Sequence, residues 1–131
     1  MSTRSRIAIQ QENGGYSSIY HHWDGYPEGL GVTLNKFFPT RLDASGLIAK
    51  GDISSINLDS GAVDYYTERG EDFTEVQPIQ SKNLDELLKL TDECNGAYVY
   101  IYYLGGNGPV CYTWKGIAPI EKTIPAKRKV A

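Results

Sequence analysis

One stretch of eight residues concentrates the side chains that could do chemistry. Residues 20–27 read Tyr-His-His-Trp-Asp-Gly-Tyr-Pro and hold two imidazoles, a carboxylate, an indole and two phenols. Imidazole with carboxylate suits acid–base catalysis or metal binding. His21 and His22 are adjacent in a predicted strand, so they face opposite sides and cannot both serve one site. The further ligands of a metal, or a nucleophile in a G-x-S-x-G context, cannot be placed from the sequence.

Three interpretations of this segment follow from its residues. It packs beneath the next helix, it recognises a polar ligand, or it forms a hydrolase site in which His22 acts with Asp24. The ligand-binding alternative joins the segment to a tyrosine stripe in a late strand, a surface suited to stacking on a nucleotide signal. Its residues are Tyr20, His22, Trp23, Asp24, Tyr26, Tyr98, Tyr100 and Tyr102. We expect a protein that is not an enzyme, with no cofactor and no metal.

A second candidate surface is the acidic segment 52–75. It carries seven carboxylates against one arginine, a local charge of −6, in a chain whose net charge is −3. Exposed carboxylates steer a basic partner towards this surface, and the net charge argues against direct nucleic-acid binding. We predict that a host protein with a basic surface binds here. The residues assigned to this contact are Asp59, Asp64, Glu68, Arg69, Glu71 and Asp72.

Length and composition set the class of protein. A chain of 131 residues that is 40% hydrophobic and 22% charged predicts one globular domain with a single core. Its apolar runs are too short for a membrane span, and its first residues lack the apolar region of a secretory signal. Cys94 and Cys111 show no C-x-x-C spacing. We therefore expect reduced thiols and a cytoplasmic location.

The pattern of turns and apolar residues predicts an α+β domain with the order β-β-α-α-β-(β)-α-β-β and a largely antiparallel sheet. A first hairpin joins residues 6–11 and 16–23 through a four-residue loop, which predicts that His22 is buried and His21 more exposed. Helices are expected to begin at Pro27, after the cap Thr40 and after the cap Asn83. Residues 73–77 are expected to form a strand.

The last predicted hairpin joins residues 97–104 and 109–115. Its more apolar face, which holds Val99, Ile101 and Tyr103, is expected to cover the main core. Tyr98, Tyr100 and Tyr102 then need another cover, and we expect a ligand or, in preference, a homodimer. The domain is expected to span residues 1–117, followed by a flexible basic tail over residues 118–131.

Two motifs resemble a family of small proteins encoded by phages and prophages. Residues 18–27 (SIYHHWDGYP) are similar to that family's I-Y-x-H-W-D-G-Y-P, and residues 47–55 (LIAKGDISS) to its L-I-A-L-G-D-L-S-S. The family's R-G-E is matched by residues 69–71. Within the second motif, this chain has Lys50 where the family has an apolar residue. The resemblance covers about half of the chain and implies a viral accessory protein in the cytoplasm of an infected bacterium. By analogy with anti-CRISPR proteins, we expect it to inhibit a host defence protein.

Overall fold

The computed structural model describes residues 2–115 and 118–126. In this part of the chain, eight strands form one mixed, mostly antiparallel sheet, which confirms a single α+β domain. The strands are β1 Arg4–Gln10, β2 Tyr16–His21, β3 Ile53–Ile56, β4 Val63–Tyr65, β5 Ile79–Ser81, β6 Gly96–Tyr102, β7 Pro109–Lys115 and β8 Ala118–Lys122. The helices are α1 Val32–Phe37, α2 Arg41–Ala49, α3 Phe73–Val76 and α4 Leu84–Glu93. A π-helical turn, Pro27–Gly31, precedes α1, and a 3₁₀ turn, Tyr66–Arg69, precedes α3.

The sheet order is β4-β3-β2-β1-β6-β7-β8, with β5 also paired to β2. The two terminal hairpins meet at its centre, where β1 and β6 run parallel. The β2–β3 pair is also parallel, and the remaining pairs are antiparallel. None of the described helices is long and apolar enough to cross a membrane.

The first hairpin has a different register from the predicted one. Gln11 and Gly15 close the loop, because the Gln11 N–H donates to the Gly15 carbonyl at 2.8 Å. Three residues remain between them, and Gly14 adopts φ +87°, as in a type I turn followed by a left-handed glycine. An odd loop shifts every face by one residue. His21 is therefore 1% exposed and His22 half-buried, the reverse of the prediction.

The tyrosine stripe belongs to the core, and the prediction that it needs a ligand or a second subunit as cover is wrong for Tyr100 and Tyr102. Tyr100 is 0% and Tyr102 1% exposed, in the larger core under the π-helical turn, α1 and α2. Val99 and Ile101 line a smaller core with α4 on the opposite face. Because helices cover both faces, Tyr100 and Tyr102 expose no surface that a second subunit or a stacked ligand could cover.

Local signals for the helices are largely confirmed. Thr40 and Asp43 form a reciprocal capping box on α2, and the Asn83 side chain accepts from the Glu86 N–H at 2.9 Å at the start of α4. The prediction of a strand at residues 73–77 is wrong. Asp72 accepts the Thr74 N–H at 3.0 Å, and this cap starts the short helix α3 instead.

The expected tail is structured over its first residues. β8 pairs antiparallel with β7, and Ile124 packs against the larger core. A Cβ added to Gly31 would lie 3.0 Å from the Ile124 side chain, which shows how closely this segment meets the π-helical turn. The predicted boundary therefore needs correction for residues 118–126. Residues 116–117 and 127–131 lie outside the described part of the chain.

Candidate functional site

A tight turn connects β2 to the first helical segment. Asp24 adopts φ +58°, and its carbonyl accepts the Leu30 N–H at 2.9 Å. Gly25 runs against β1, with its N–H donating to the Thr3 carbonyl at 2.8 Å. The buried Tyr100 hydroxyl donates to the Gly25 carbonyl at 2.7 Å. One tyrosine of the stripe therefore positions this turn from below and is not available to a ligand.

The aromatic side chains of the turn form two separate groups. The Tyr20 hydroxyl lies 2.5 Å from His22 Nδ1, and the Trp23 ring meets His22 edge-on at 4.7 Å. Asp24 instead accepts from the Tyr26 hydroxyl at 3.4 Å. The imidazole of His22 thus has a phenol as its partner, and no His22–Asp24 hydrogen bond supports the hydrolase interpretation.

His21 belongs to the interior. Its Nδ1 lies 3.1 Å from Ser5 Oγ, and both residues are at most 1% exposed. Burial, with a smaller contribution from nearby His22, lowers the pKa of His21 to about 3. The ring is therefore neutral near pH 7 and acts as a polar core residue. Ser5 and His21 lack the access to solvent that a catalytic pair needs.

Asp52 ties the turn to the acidic segment. Its Oδ1 accepts the Tyr20 N–H at 2.8 Å, its own N–H donates to the Val76 carbonyl, and its carbonyl accepts the Tyr66 N–H. Burial raises the pKa of Asp52 and the charge of Glu71 adds to this, while the Tyr20 N–H and the Arg6 guanidinium oppose it. From the sequence, Asp52 was expected as one charge of the acidic segment and as part of the motif at residues 47–55. Its position directly before β3 was the one local signal that this residue lies beside the sheet.

The acidic segment contains both paired and outward-facing carboxylates. Asp64 forms an ion pair with Arg69, whose guanidinium also lies 5.6 Å from the Tyr66 ring centre. Asp72 is used as the cap of α3. Three further glutamates are exposed, Glu68 on the 3₁₀ turn, Glu71 in the loop that follows it and Glu75 on α3, and the Phe73 ring on α3 is 44% exposed. We call Glu68, Glu71, Phe73 and Glu75 the acidic surface; Asp59 is exposed on the preceding loop.

Of the eight residues in the ligand-binding alternative, five surround the turn and two are core residues. Trp23 is 46% and Tyr26 37% exposed, whereas Tyr98 is half-buried and packs against the larger core. Burial raises the pKa of Tyr100 and of Tyr102 far above the usual value of a phenol. The Tyr102 hydroxyl donates to the Phe38 carbonyl at 2.8 Å, which makes it a structural contact.

Metal binding and disulfide formation gain no support within the described residues. They include no group of three or more His, Cys, Asp or Glu side chains placed to hold a metal ion. Cys94 is half-buried, Cys111 is buried, and both are free thiols.

Comparison of the chain with protein-family models, with curated proteins and with solved structures finds no match.

Proposed function

We propose that this protein is a phage accessory protein that binds a host defence protein through the acidic surface and inhibits it without catalysis. The observation that carries the proposal is the arrangement of that surface. Within residues 68–75, Glu68, Glu71 and Glu75 are exposed together with Phe73, whose ring is 44% exposed. An aromatic anchor inside a polar, solvent-accessible rim is typical of protein–protein interfaces.

The charges favour a partner with a basic surface. The side-chain carboxylates of Glu68, Glu71 and Glu75 form no hydrogen bond or ion pair with another described residue. Lysine or arginine side chains of a partner would complement them, and such contacts raise association rates more than they raise affinity. The resemblance to phage proteins at residues 18–27 and 47–55 supports the choice of a bacterial host protein as that partner.

A charge-reversal experiment tests this proposal. The test variant carries Glu68→Lys, Glu71→Lys and Glu75→Lys; Asp72 is left intact because it caps α3. The matched control carries the same three-lysine change at exposed acidic residues elsewhere, namely Glu12, Asp92 and Glu121. Both variants alter the net charge equally, so a difference between them reports the location of the contact.

Each variant is immobilised and challenged with lysate of a bacterial host. The wild type and the control should retain the same basic protein, and the test variant should lose it. Retention should also fall steeply between 50 and 300 mM salt, since exposed charges are screened over about 8 Å at physiological ionic strength. Equal retention by the two triple variants would exclude the acidic surface as the contact.

A small-ligand function remains a second candidate because of the exposed rings at the turn. Trp23 and Tyr26 expose aromatic surface within one short segment, next to the half-buried His22. Aromatic side chains can stack on nucleobases, because every base has a π-face. A nucleotide that quenches the Trp23 fluorescence of a Trp114→Phe chain, but not of the same chain with Tyr26→Leu and His22→Gln, would favour this function. An unchanged spectrum across the common nucleotides would exclude it.

A further inference from the structure

β5 is a free edge on one side of the sheet. Among the described residues β2 is the one strand that pairs with it, and no partner strand occupies its outer edge. Ile79 is 43% exposed and Gln80 is exposed. Unpaired N–H and C=O groups on an edge strand form a template for pairing with another chain.

The backbone of Gln80 faces this free edge. The Ser81 carbonyl oxygen lies 2.7 Å from the position that a Cβ on Gly15 would occupy, so Ser81 points towards the β1–β2 hairpin. In an antiparallel pair, successive residues direct their N–H and C=O groups to alternate sides. Gln80 therefore directs both groups outward, while its side chain stays on β2 by donating to Ser17 Oγ at 3.0 Å.

A polar groove runs beside this edge, between β5 and α4. Two cavities of about 480 and 220 Å³ open along it, and both are lined by Gln80, Ser81 and Glu86. The larger cavity continues to the amides of Gln11 and Asn13 at the hairpin. Amide and hydroxyl side chains pair with peptide groups of any sequence. The groove's charges are balanced, two lysines against two glutamates: Lys82, Lys89, Glu86 and Glu93.

We propose that β5 accepts an extended strand of a protein partner, which pairs with Gln80 and places side chains in the groove beside α4. Strand addition of this kind takes its affinity from main-chain hydrogen bonds and its selectivity from pockets for alternate side chains. The helix α3, which carries Phe73 and Glu75 of the acidic surface, ends at Val76, and residues 77–78 connect it to β5. The partner is therefore the basic protein of the proposed function, and in this respect the inference rests on that function.

Two synthetic pentapeptides separate the groove from the acidic surface. One is acetyl-Thr-Val-Thr-Val-Thr-amide, which carries no charge and tests strand addition alone. The other is acetyl-Lys-Val-Lys-Val-Lys-amide, which adds the positive charge that the acidic surface should attract. Binding is measured by NMR titration of the wild type, of Gln80→Pro and of Gln80→Ala. Proline removes the outward N–H, whereas alanine keeps it and removes only the side-chain contact to Ser17.

The neutral peptide should bind the wild type and Gln80→Ala within about threefold of each other and should bind Gln80→Pro at least about tenfold more weakly. Hydrogen exchange at the Gln80 N–H of the wild type should slow when the peptide is added, a result that does not depend on the proline variant folding. Equal binding by all three chains, or no slowing at Gln80, would overturn the inference. If the lysine peptide gains no affinity over the neutral one while Gln80 is still protected, the acidic surface fails and strand addition stands.

Discussion

The pH dependence of folding should report the burial of His21. Its pKa is about 3 in the folded protein, against about 6.5 in an unfolded chain. The unfolded state therefore binds an extra proton between these two values, so this residue favours folding fully above pH 6.5 and progressively less as the pH falls towards 3. The limiting slope is about 1.4 kcal/mol per pH unit.

Between pH 7 and pH 5 this linkage lowers the free energy of unfolding by about 2 kcal/mol, worked from the two pKa values. That loss is a large part of the roughly 5–15 kcal/mol that stabilises a typical domain. Urea denaturation at half-unit pH steps, followed by tryptophan fluorescence, measures it directly. The same series on His21→Gln should show a curve flatter by about 2 kcal/mol over this range, whatever its stability at pH 7.

His22→Gln is the matched control, because it removes the neighbouring imidazole that is half-buried and bonded to Tyr20. Its pH curve should keep most of the slope of the wild type. If His21→Gln retains the full slope, then His21 titrates close to its usual pKa in the folded state. In that case the burial of this ring beneath the turn is incorrect.

Three further changes test separate parts of the structure. Thr40→Ala should lower the free energy of unfolding by about 1 kcal/mol in urea denaturation, since it removes the cap of α2. Tyr100→Phe removes the hydrogen bond to the Gly25 carbonyl and should cost about 1–2 kcal/mol without altering the elution volume on a sizing column. Iodoacetamide at pH 8 should alkylate Cys94 well before Cys111 in mass spectrometry, because Cys111 is buried and burial raises its pKa to about 12.

Helix boundaries could be predicted because their causes are local. The capping residues Thr40 and Asn83 act on N–H groups three positions away, and both are visible in the sequence. The same physics explains the error at residues 73–77. Asp72 is also a competent cap, and it starts a helix where a strand was expected.

The register of the first hairpin, unlike the helix boundaries, could not be predicted from the sequence. Residues 11–15 permit a loop of either even or odd length, and the choice exchanges the environments of His21 and His22. The left-handed Gly14 selects the odd loop in the structure. A one-residue difference in the turn thus decided which histidine was treated as a core residue.

Placement of the helices over the sheet depends on contacts distant in sequence. Tyr100 and Gly25 are 75 residues apart, and Tyr102 and Phe38 are 64 apart, yet their hydrogen bonds fix the first helical segments on the tyrosine face. The β1–β6 pairing brings those partners together. No local pattern contains this information, so the tyrosines suggested an uncovered surface.

The position of Asp52 links the folded core to the acidic surface through charge. Burial raises its pKa, and the negative charge of Glu71 contributes to the same shift. A cationic group bound against Glu71 would cancel part of that repulsion and lower the pKa of Asp52. By thermodynamic linkage, protonation of Asp52 must then weaken the binding of that cation. Because the Asp52 carboxylate also accepts the Tyr20 N–H, its protonation acts both on the partner contact and on the hydrogen bond that joins the acidic segment to β2.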